Sequence, residues 1–318
     1  MSRAQARWTP IKVATNGGGP YVDWCWTDGV RFDDPFFTQT IERGLRDPFR
    51  LLFQRRTWLN EIEAEAEARP PTGLVFHLSR SGSTLVSRML QTLPDAWVLS
   101  EPGPVDSVLA IPGALAERAG RLRAIVSALG PDTATGPYVL KLDAWAVLDF
   151  EVFEEAFPAV PWVFCYRHPG DVLVSQSLQG SYHMIPDTLP AWRLGEPLAL
   201  PAQPTLDEYG AAMLARLLDR AMRAAERSSR GLLVHHDQLP GAVLDRTAPH
   251  FGIQVPASQV GAILETTLWD AKNPVLPYAG GPGRRVDATP EQVDAIDRLA
   301  MASYMRLERT RELADAGP

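Results

Sequence analysis

The stretch Leu74-Val-Phe-His-Leu78-Ser79-Arg80-Ser81-Gly82-Ser83-Thr84 decides how the rest of this chain is read. Its first five residues form an apolar strand, and the next six are a turn of small residues around Arg80 and Gly82. Leu85, Val86, Met89 and Leu90 then repeat at the spacing of a helix. A turn of this kind gathers unsatisfied backbone N–H groups and the positive end of a helix dipole at one point, which suits an anion. A second unit has the same plan: Trp162-Val-Phe-Cys-Tyr166, then Arg167-His-Pro-Gly-Asp171, then a helix opening at Val172 and carrying Ser175. Arg167 leaves the end of its strand and Ser175 sits about one turn into the helix, so both face the crevice at the strand C-termini.

These residues carry a resemblance. The turn Arg80-Ser81-Gly82-Ser83-Thr84 resembles the 5′-phosphosulfate loop of the sulfotransferases that use 3′-phosphoadenosine-5′-phosphosulfate, and Arg167 with Ser175 resembles their 3′-phosphate motif. The match covers mainly Gly73 to Gln179. Leu232-Leu-Val-His-His236 resembles a late core strand of that family, and Gly280-Gly-Pro-Gly-Arg284-Arg285 its basic loop over the 3′-phosphate. Two positions depart from the pattern. Arg80 stands where many members carry Lys, a variant seen in bacterial and tyrosine-modifying branches. Leu85 stands where many soluble members carry a Trp near the adenine, which leaves the adenine-stacking residue open.

The resemblance implies a P-loop-like α/β enzyme that moves a sulfuryl group from 3′-phosphoadenosine-5′-phosphosulfate to a hydroxyl or amine, leaving adenosine 3′,5′-bisphosphate and needing no metal. Such a transfer requires in-line positioning, stabilisation of charge on the leaving phosphate oxygen, and removal of the acceptor proton. The backbone of Ser81 to Thr84 and the Arg80 guanidinium answer the second demand, Arg being suited by its forked donors and permanent charge. Two carboxylates are candidates for the base. Glu101, in Ser100-Glu-Pro102 and 21 residues beyond Arg80, resembles the catalytic Glu of the tyrosine-modifying and bacterial branches. Asp143, in Lys141-Leu-Asp143, stands where the small-molecule branch has its His. The plainer roles are a helix N-terminal carboxylate before Val105 for Glu101 and a helix cap at Ala144 for Asp143. Lys141 either reaches the leaving phosphate or pairs with one of these carboxylates.

Composition is compatible with this and decides little. The chain has 318 residues, 45% hydrophobic and 22% charged, with a net charge of −7. That balance argues against broad nucleic-acid or anionic-membrane binding. No run of signal-peptide or membrane-spanning length occurs, so the expectation is a cytoplasmic protein acting on a small-molecule or peptide acceptor. Its two cysteines, Cys25 and Cys165, read as reduced thiols, Cys165 lying inside an apolar strand.

Further elements alternate as a parallel sheet with flanking helices requires. Strands are expected at Leu74–Leu78, Trp97–Leu99, Tyr138–Lys141, Trp162–Tyr166 and Leu232–His235. Helices are expected at Ala114–Leu129, Trp145–Phe157 and Asp207–Ser228, with a closing helix from Thr289-Pro-Glu291 that turns Val293, Ile296, Ala300, Tyr304 and Leu307 inward. Residues 1–72 read as an N-terminal extension before a domain spanning 73–318. In it, Tyr21–Thr27 alternates, Asp28-Gly29 signals a hairpin turn, Asp33-Asp34-Pro35 caps a helix through Leu45, and Glu61 to Glu67 form a solvated helix end. The Pro-rich stretch Gly180–Pro204 reads as a lid, a specificity loop or a disordered segment, and Asn273–Asp287 as a loop free to fold over a nucleotide.

Two other functions fit the sequence less well. A kinase P-loop needs G-x-x-x-x-G-K-[ST], whereas this turn has no Lys and no Gly at its start, which counts against a nucleotide-dependent phosphotransferase. A non-catalytic nucleotide-binding protein is the other alternative, and two carboxylates available as bases argue against it. His168 is read as holding the turn before Pro169, His77 as a core residue, and the Trp24/Trp26 pair as hairpin packing. His235 and His236 alternate faces and cannot share one metal, and no zinc-type spacing occurs.

Overall fold

The computed structural model describes residues 8–65, 70–131, 136–178, 180–273, 275–278 and 284–316. Its centre is a five-stranded sheet in which every neighbouring pair is parallel, in the order β5-β6-β4-β7-β8: β4 is Gly73–His77, β5 Trp97–Ser100, β6 Tyr138–Lys141, β7 Trp162–Tyr166 and β8 Gly231–His235. All five expected strands are present, two with the bounds read from sequence. Apart from two glycines and from His77, Ser100, Lys141 and His235 at the strand C-termini, their residues are apolar, because both faces are covered. Leu74 and Phe76 join one buried cluster with Leu122, Phe153 and Leu217, while Val75 joins Val86, Met89, Val163 and Val234 on the other face.

The chain builds outward from β4 to one edge, through β5 and β6, and then crosses to the other side with β7 and β8. That reversal places a crevice at the C-terminal end of β4, flanked by the ends of β6 and β7. The loops that follow β4 and β7 are the two phosphate-type turns.

The helices follow the apolar spacing with some corrections. Leu206–Arg227 begins with a Thr205/Glu208 capping box and buries Met213, Leu214, Leu217, Leu218 and Ala221. Trp145–Phe157 divides into a 3-10 turn, Ala146–Asp149, and a helix, Phe150–Ala156. The closing segment is two helices, Pro290–Leu299 and Met301–Ala316, which bury Ile296, Ala300, Tyr304 and Leu307 but leave Val293 exposed.

The N-terminal segment differs most from its sequence reading. It holds an antiparallel sheet of β1 (Trp8–Asn16), β2 (Gly19–Trp26) and β3 (Gln54–Trp58), and the hairpin turn lies at Gly17-Gly18, not at Asp28-Gly29. Asp28-Gly29 is a turn that leads out of β2 instead. Trp24 and Trp26 are packed as hairpin residues: Trp24 Nε1 donates to Thr57 Oγ1 at 2.8 Å, and the Trp26 ring meets Trp8 edge-on at 5.3 Å. The helix after Pro35 runs from Phe37 to Gly44, where Asp34 accepts from the side chains of Thr40 and Arg43 rather than capping the backbone. Val13, Val22, Trp24, Phe37, Ile41 and Leu59 share the cluster that contains Leu122 and Phe153, so this segment is packed onto the main core. Among the described residues both cysteines are free thiols, and no helix is long and apolar enough to cross a membrane.

Candidate functional site

The turn after β4 is built around one backbone requirement. Gly82 has φ +90°, and a Cβ there would lie 2.6 Å from Leu239 Cδ1 and 3.0 Å from His236 Nδ1. Only glycine meets both the conformation and the close approach. Gly82 caps the helix Ser83–Gln91, and its carbonyl accepts from the N–H of Leu85 and Val86. The N–H groups of Ser83 and Thr84 therefore stand at the helix start without partners in the helix ladder, which makes the cradle expected of the turn. Arg80 is also left-handed, with φ +63°. His236, beyond β8, steadies the turn through its Nδ1, 3.1 Å from the Ser81 carbonyl oxygen.

The turn after β7 is held by a buried carboxylate. Asp171 is 2% exposed and accepts from Arg167 Nε at 3.2 Å and from the backbone N–H of Arg285 at 2.7 Å. His168 Nδ1 accepts from the Gly170 N–H at 3.1 Å, holding the turn as the sequence suggested. The two turns are joined directly, since Gln176 Nε2 donates to Ser79 Oγ at 2.5 Å.

Both turns open into one cavity of about 980 Å³. Arg80, Gly82, Ser83, Thr84, Arg167, Ser175 and Arg284 line it, and so does Glu101. Eight candidates from four separate stretches of the sequence are thus brought to one place. Three guanidinium groups, those of Arg80, Arg167 and Arg284, meet there, and Arg80 is pushed down from its ordinary range by burial and by Arg284. Convergent guanidinium groups over helix N–H donors suit a polyanion.

Four candidates are placed otherwise. Arg285 turns away from the cavity: its guanidinium lies 3.5 Å from Asp171, and its backbone serves the same carboxylate, so it supports Arg167 instead of facing a ligand. Ser81 is fully buried, its Oγ has no partner among the described residues, and it does not line the cavity. Lys141 is buried under the site with its Nζ on Glu101 Oε1, taking the pairing role of the two open to it. Asp143 does not line the cavity and caps no helix through its side chain. Burial, with the nearby Glu101 and Asp106 charges, raises its carboxyl well above the ordinary range. The Gly280–Gly283 part of the basic loop lies outside the described residues.

Glu101 projects from a left-handed position, φ +53°, just past β5, and its side chain is 27% exposed. It does not cap the following helix, Gly103–Leu109. Burial would raise its carboxyl, but Lys141 and His77 outweigh that and hold it well below the usual carboxylate range. Oε1 takes both contacts, Lys141 and, at 3.5 Å, His77 Nε2; among the described residues Oε2 has no partner. His77 is itself fixed by the carbonyl oxygens of Leu78 and Leu142, each 2.9 Å from a ring nitrogen.

Several lining residues lie outside the two phosphate-type turns. Phe36 brings the N-terminal segment into the site, with the Lys141 and Lys272 ammonium groups 5.1 and 5.9 Å from its ring. Lys272 is pushed down to about 8, by burial first and then by Arg80 and Lys141. Trp269 and Tyr278 also line the cavity, as do Trp145, Tyr182 and His183 beside Glu101. The Pro-rich stretch is not a loose lid. Arg193, 3% exposed, donates to Asp149 at 2.6 and 2.9 Å and to Asp106 at 2.9 Å, and Trp145 Nε1 donates to the same Asp106 oxygen at 2.6 Å. Among the described residues no cluster of His, Cys and carboxylates is arranged to hold a metal ion.

No family model and no curated protein sequence matches this chain. Three solved structures to which it is similar are the sulfotransferase STF9 from Mycobacterium avium, covering 83% of this chain and 80% of that one with a TM-score of 0.49, a mouse sulfotransferase, SULT7A1, complexed with PAP, covering 81% and 93% with a TM-score of 0.45, and a sulfotransferase from Alicyclobacillus acidocaldarius, covering 77% and 96% with a TM-score of 0.44; each is 14% identical.

Proposed function

We propose that this protein is a sulfotransferase that uses 3′-phosphoadenosine-5′-phosphosulfate as donor. The observation that carries the reading is the convergence of the Gly82 cradle, Arg80, Arg167, Ser175 and Arg284 in one cavity with a carboxylate, Glu101, beside them. Two separated anion sites suit a nucleotide with phosphates at both ends, and the free N–H groups at the start of the Ser83–Gln91 helix suit one of those phosphates. When bound, the donor supplies an activated sulfuryl group whose bond to phosphate breaks as the acceptor oxygen bonds to sulfur.

The protein residues divide the remaining work. Ser83 and Thr84 N–H groups and Arg80 hold the 5′ end and stabilise the charge left on its phosphate. Arg167, oriented by Asp171, and Ser175 hold the 3′ phosphate, with Arg284 across the cavity. Glu101 orients the acceptor hydroxyl through Oε2 and receives its proton. Because Lys141 and His77 depress its basicity, the transfer is driven late, as negative charge leaves the acceptor oxygen. Asp143 is the second reading for the base and is disfavoured by its place outside the cavity lining.

Calorimetry with adenosine 3′,5′-bisphosphate and with AMP tests the donor assignment. The bisphosphate binds more tightly, and Arg167→Ala removes about 1.5 to 3 kcal/mol from the bisphosphate while barely changing AMP. Equal losses for both ligands would refute the 3′ site.

A further inference from the structure

Lys272 belongs to neither phosphate turn, yet it lines the cavity, and among the described residues its ammonium has no hydrogen-bond or ion-pair partner. The segment that carries it has a defined shape. Trp269 bridges Pro277, and Asp270 N–H donates to the Leu276 carbonyl and Tyr278 N–H to the Leu268 carbonyl, each at 2.8 Å. At the turn between them, Asp270 Oδ1 accepts from the backbone N–H groups of Lys272 and Asn273 at 2.9 and 2.8 Å. Lys272 itself is exposed, so a solute in the cavity can reach it.

The neighbours of the ammonium define what would satisfy it. It lies 5.9 Å from the Phe36 ring, which also has the Lys141 ammonium 5.1 Å from its centre. Partial burial first, then Arg80 of the turn after β4 and Lys141 of β6, push it down to about 8, against Glu101 and Asp270, which act the other way. Positive groups from three separate elements therefore crowd one part of the cavity. Neither carboxylate nearby answers Lys272: Glu101 Oε1 is taken by Lys141, and Asp270 Oδ1 by the backbone of its own turn. A lysine with no ligand to meet gains nothing from a positively charged wall, since its flexible stem can turn the ammonium to water. What this cluster lacks is an anion.

Resting on the donor assignment above, we infer that Lys272 is a donor-binding residue: its ammonium contacts the 5′ end of the nucleotide together with Arg80, so that a segment outside both phosphate turns completes that anion site. The contact is coupled to protonation. In the free protein the amine is partly deprotonated near pH 8, and an anion placed against it favours the charged form, so binding draws a proton from solvent. Other groups on the wall do not imitate this. His77, His183 and His236 are all held below their ordinary range and stay neutral at pH 8, the arginines are charged throughout, and phosphate groups, with a second pKa near 6, are already ionised. With about 8 in the free protein and a value well above it in the complex, the uptake is about 0.5 proton per ligand at pH 8 and about 0.1 at pH 7.

The test is calorimetric titration of the full-length protein with adenosine 3′,5′-bisphosphate at pH 8 in two buffers of different ionisation enthalpy, which counts the protons taken up. The parent should show the uptake with the bisphosphate and equally with AMP, which keeps only the 5′ phosphate. Lys272→Met should lose the uptake and about tenfold in bisphosphate affinity, the loss of one charge-assisted hydrogen bond. Lys272→Arg should keep the affinity but show no uptake, because a guanidinium is charged before the ligand arrives. No uptake in the parent, uptake that survives Lys272→Met, or an unchanged affinity in Lys272→Met overturns the inference. Uptake with the bisphosphate but not with AMP places Lys272 at the 3′ phosphate and overturns it as well. Failure of the parent to bind the bisphosphate would instead bring down the donor site, and the inference with it.

Discussion

Arg193→Met tests whether the Pro-rich stretch is held by a buried ion network. The native guanidinium is 1% exposed and makes three hydrogen bonds, two to Asp149 and one to Asp106. Met fills similar length but leaves two carboxylates short of a partner. Asp149 keeps Arg118 at 2.5 Å, and Asp106 keeps Trp145 and is 27% exposed, so neither is stranded completely. Breaking a buried pair by removing one partner costs about 3 to 5 kcal/mol, and the surviving contacts set the expectation near 3. Against a total stability of about 5 to 15 kcal/mol the protein stays folded but weakened. Urea unfolding should show that loss, and brief thermolysin digestion should cut within residues 180–204 faster than in the parent. Bisphosphate affinity should change little, because Arg80, Arg167, Ser175 and Arg284 lie on other elements. Adding Asp149→Leu should recover part of the loss, since the uncompensated charge is then gone. A loss below about 1 kcal/mol with an unchanged digestion pattern would refute the reasoning and reduce the network to a surface-like contact.

Three other outcomes follow from the site. Glu101→Gln should lower kcat by about 100- to 10,000-fold with bisphosphate binding intact, while Asp143→Asn costs far less; a reversed order, measured with one acceptor, would make Asp143 the base. Gly82→Ala should cost about 1 to 3 kcal/mol in urea unfolding and abolish detectable bisphosphate binding by calorimetry, since a Cβ meets Leu239 and His236 at φ +90°. Stability should also fall with acidification through His183. Its ring has a pKa of about 4 in the folded protein against 6.5 when unfolded, so the unfolded chain takes up the proton first and the contribution, present above pH 6.5, is lost toward pH 4. The difference between parent and His183→Phe should narrow by about 3 kcal/mol across that window, and a pH-independent difference would contradict a neutral buried imidazole.

The sequence by itself determined the five core strands, the two turns that follow β4 and β7, and the long helix, read at Asp207–Ser228 and found at Leu206–Arg227, because each rests on local patterns: continuous apolar runs, a small-residue turn before a helix, apolar residues at helical spacing. It misplaced the N-terminal hairpin, since Asp28-Gly29 and Gly17-Gly18 are both good turns and only strand pairing selects between them. Tertiary structure alone decided which charges meet. Adjacent arginines separate, Arg284 into the cavity and Arg285 onto Asp171, and Lys141 chooses Glu101, 40 residues away in sequence. Phe36 and Lys272 likewise enter the site from segments without a motif of their own. A side chain's partner depends on the packing of remote elements and on what burial leaves unpaired, and no local period records either.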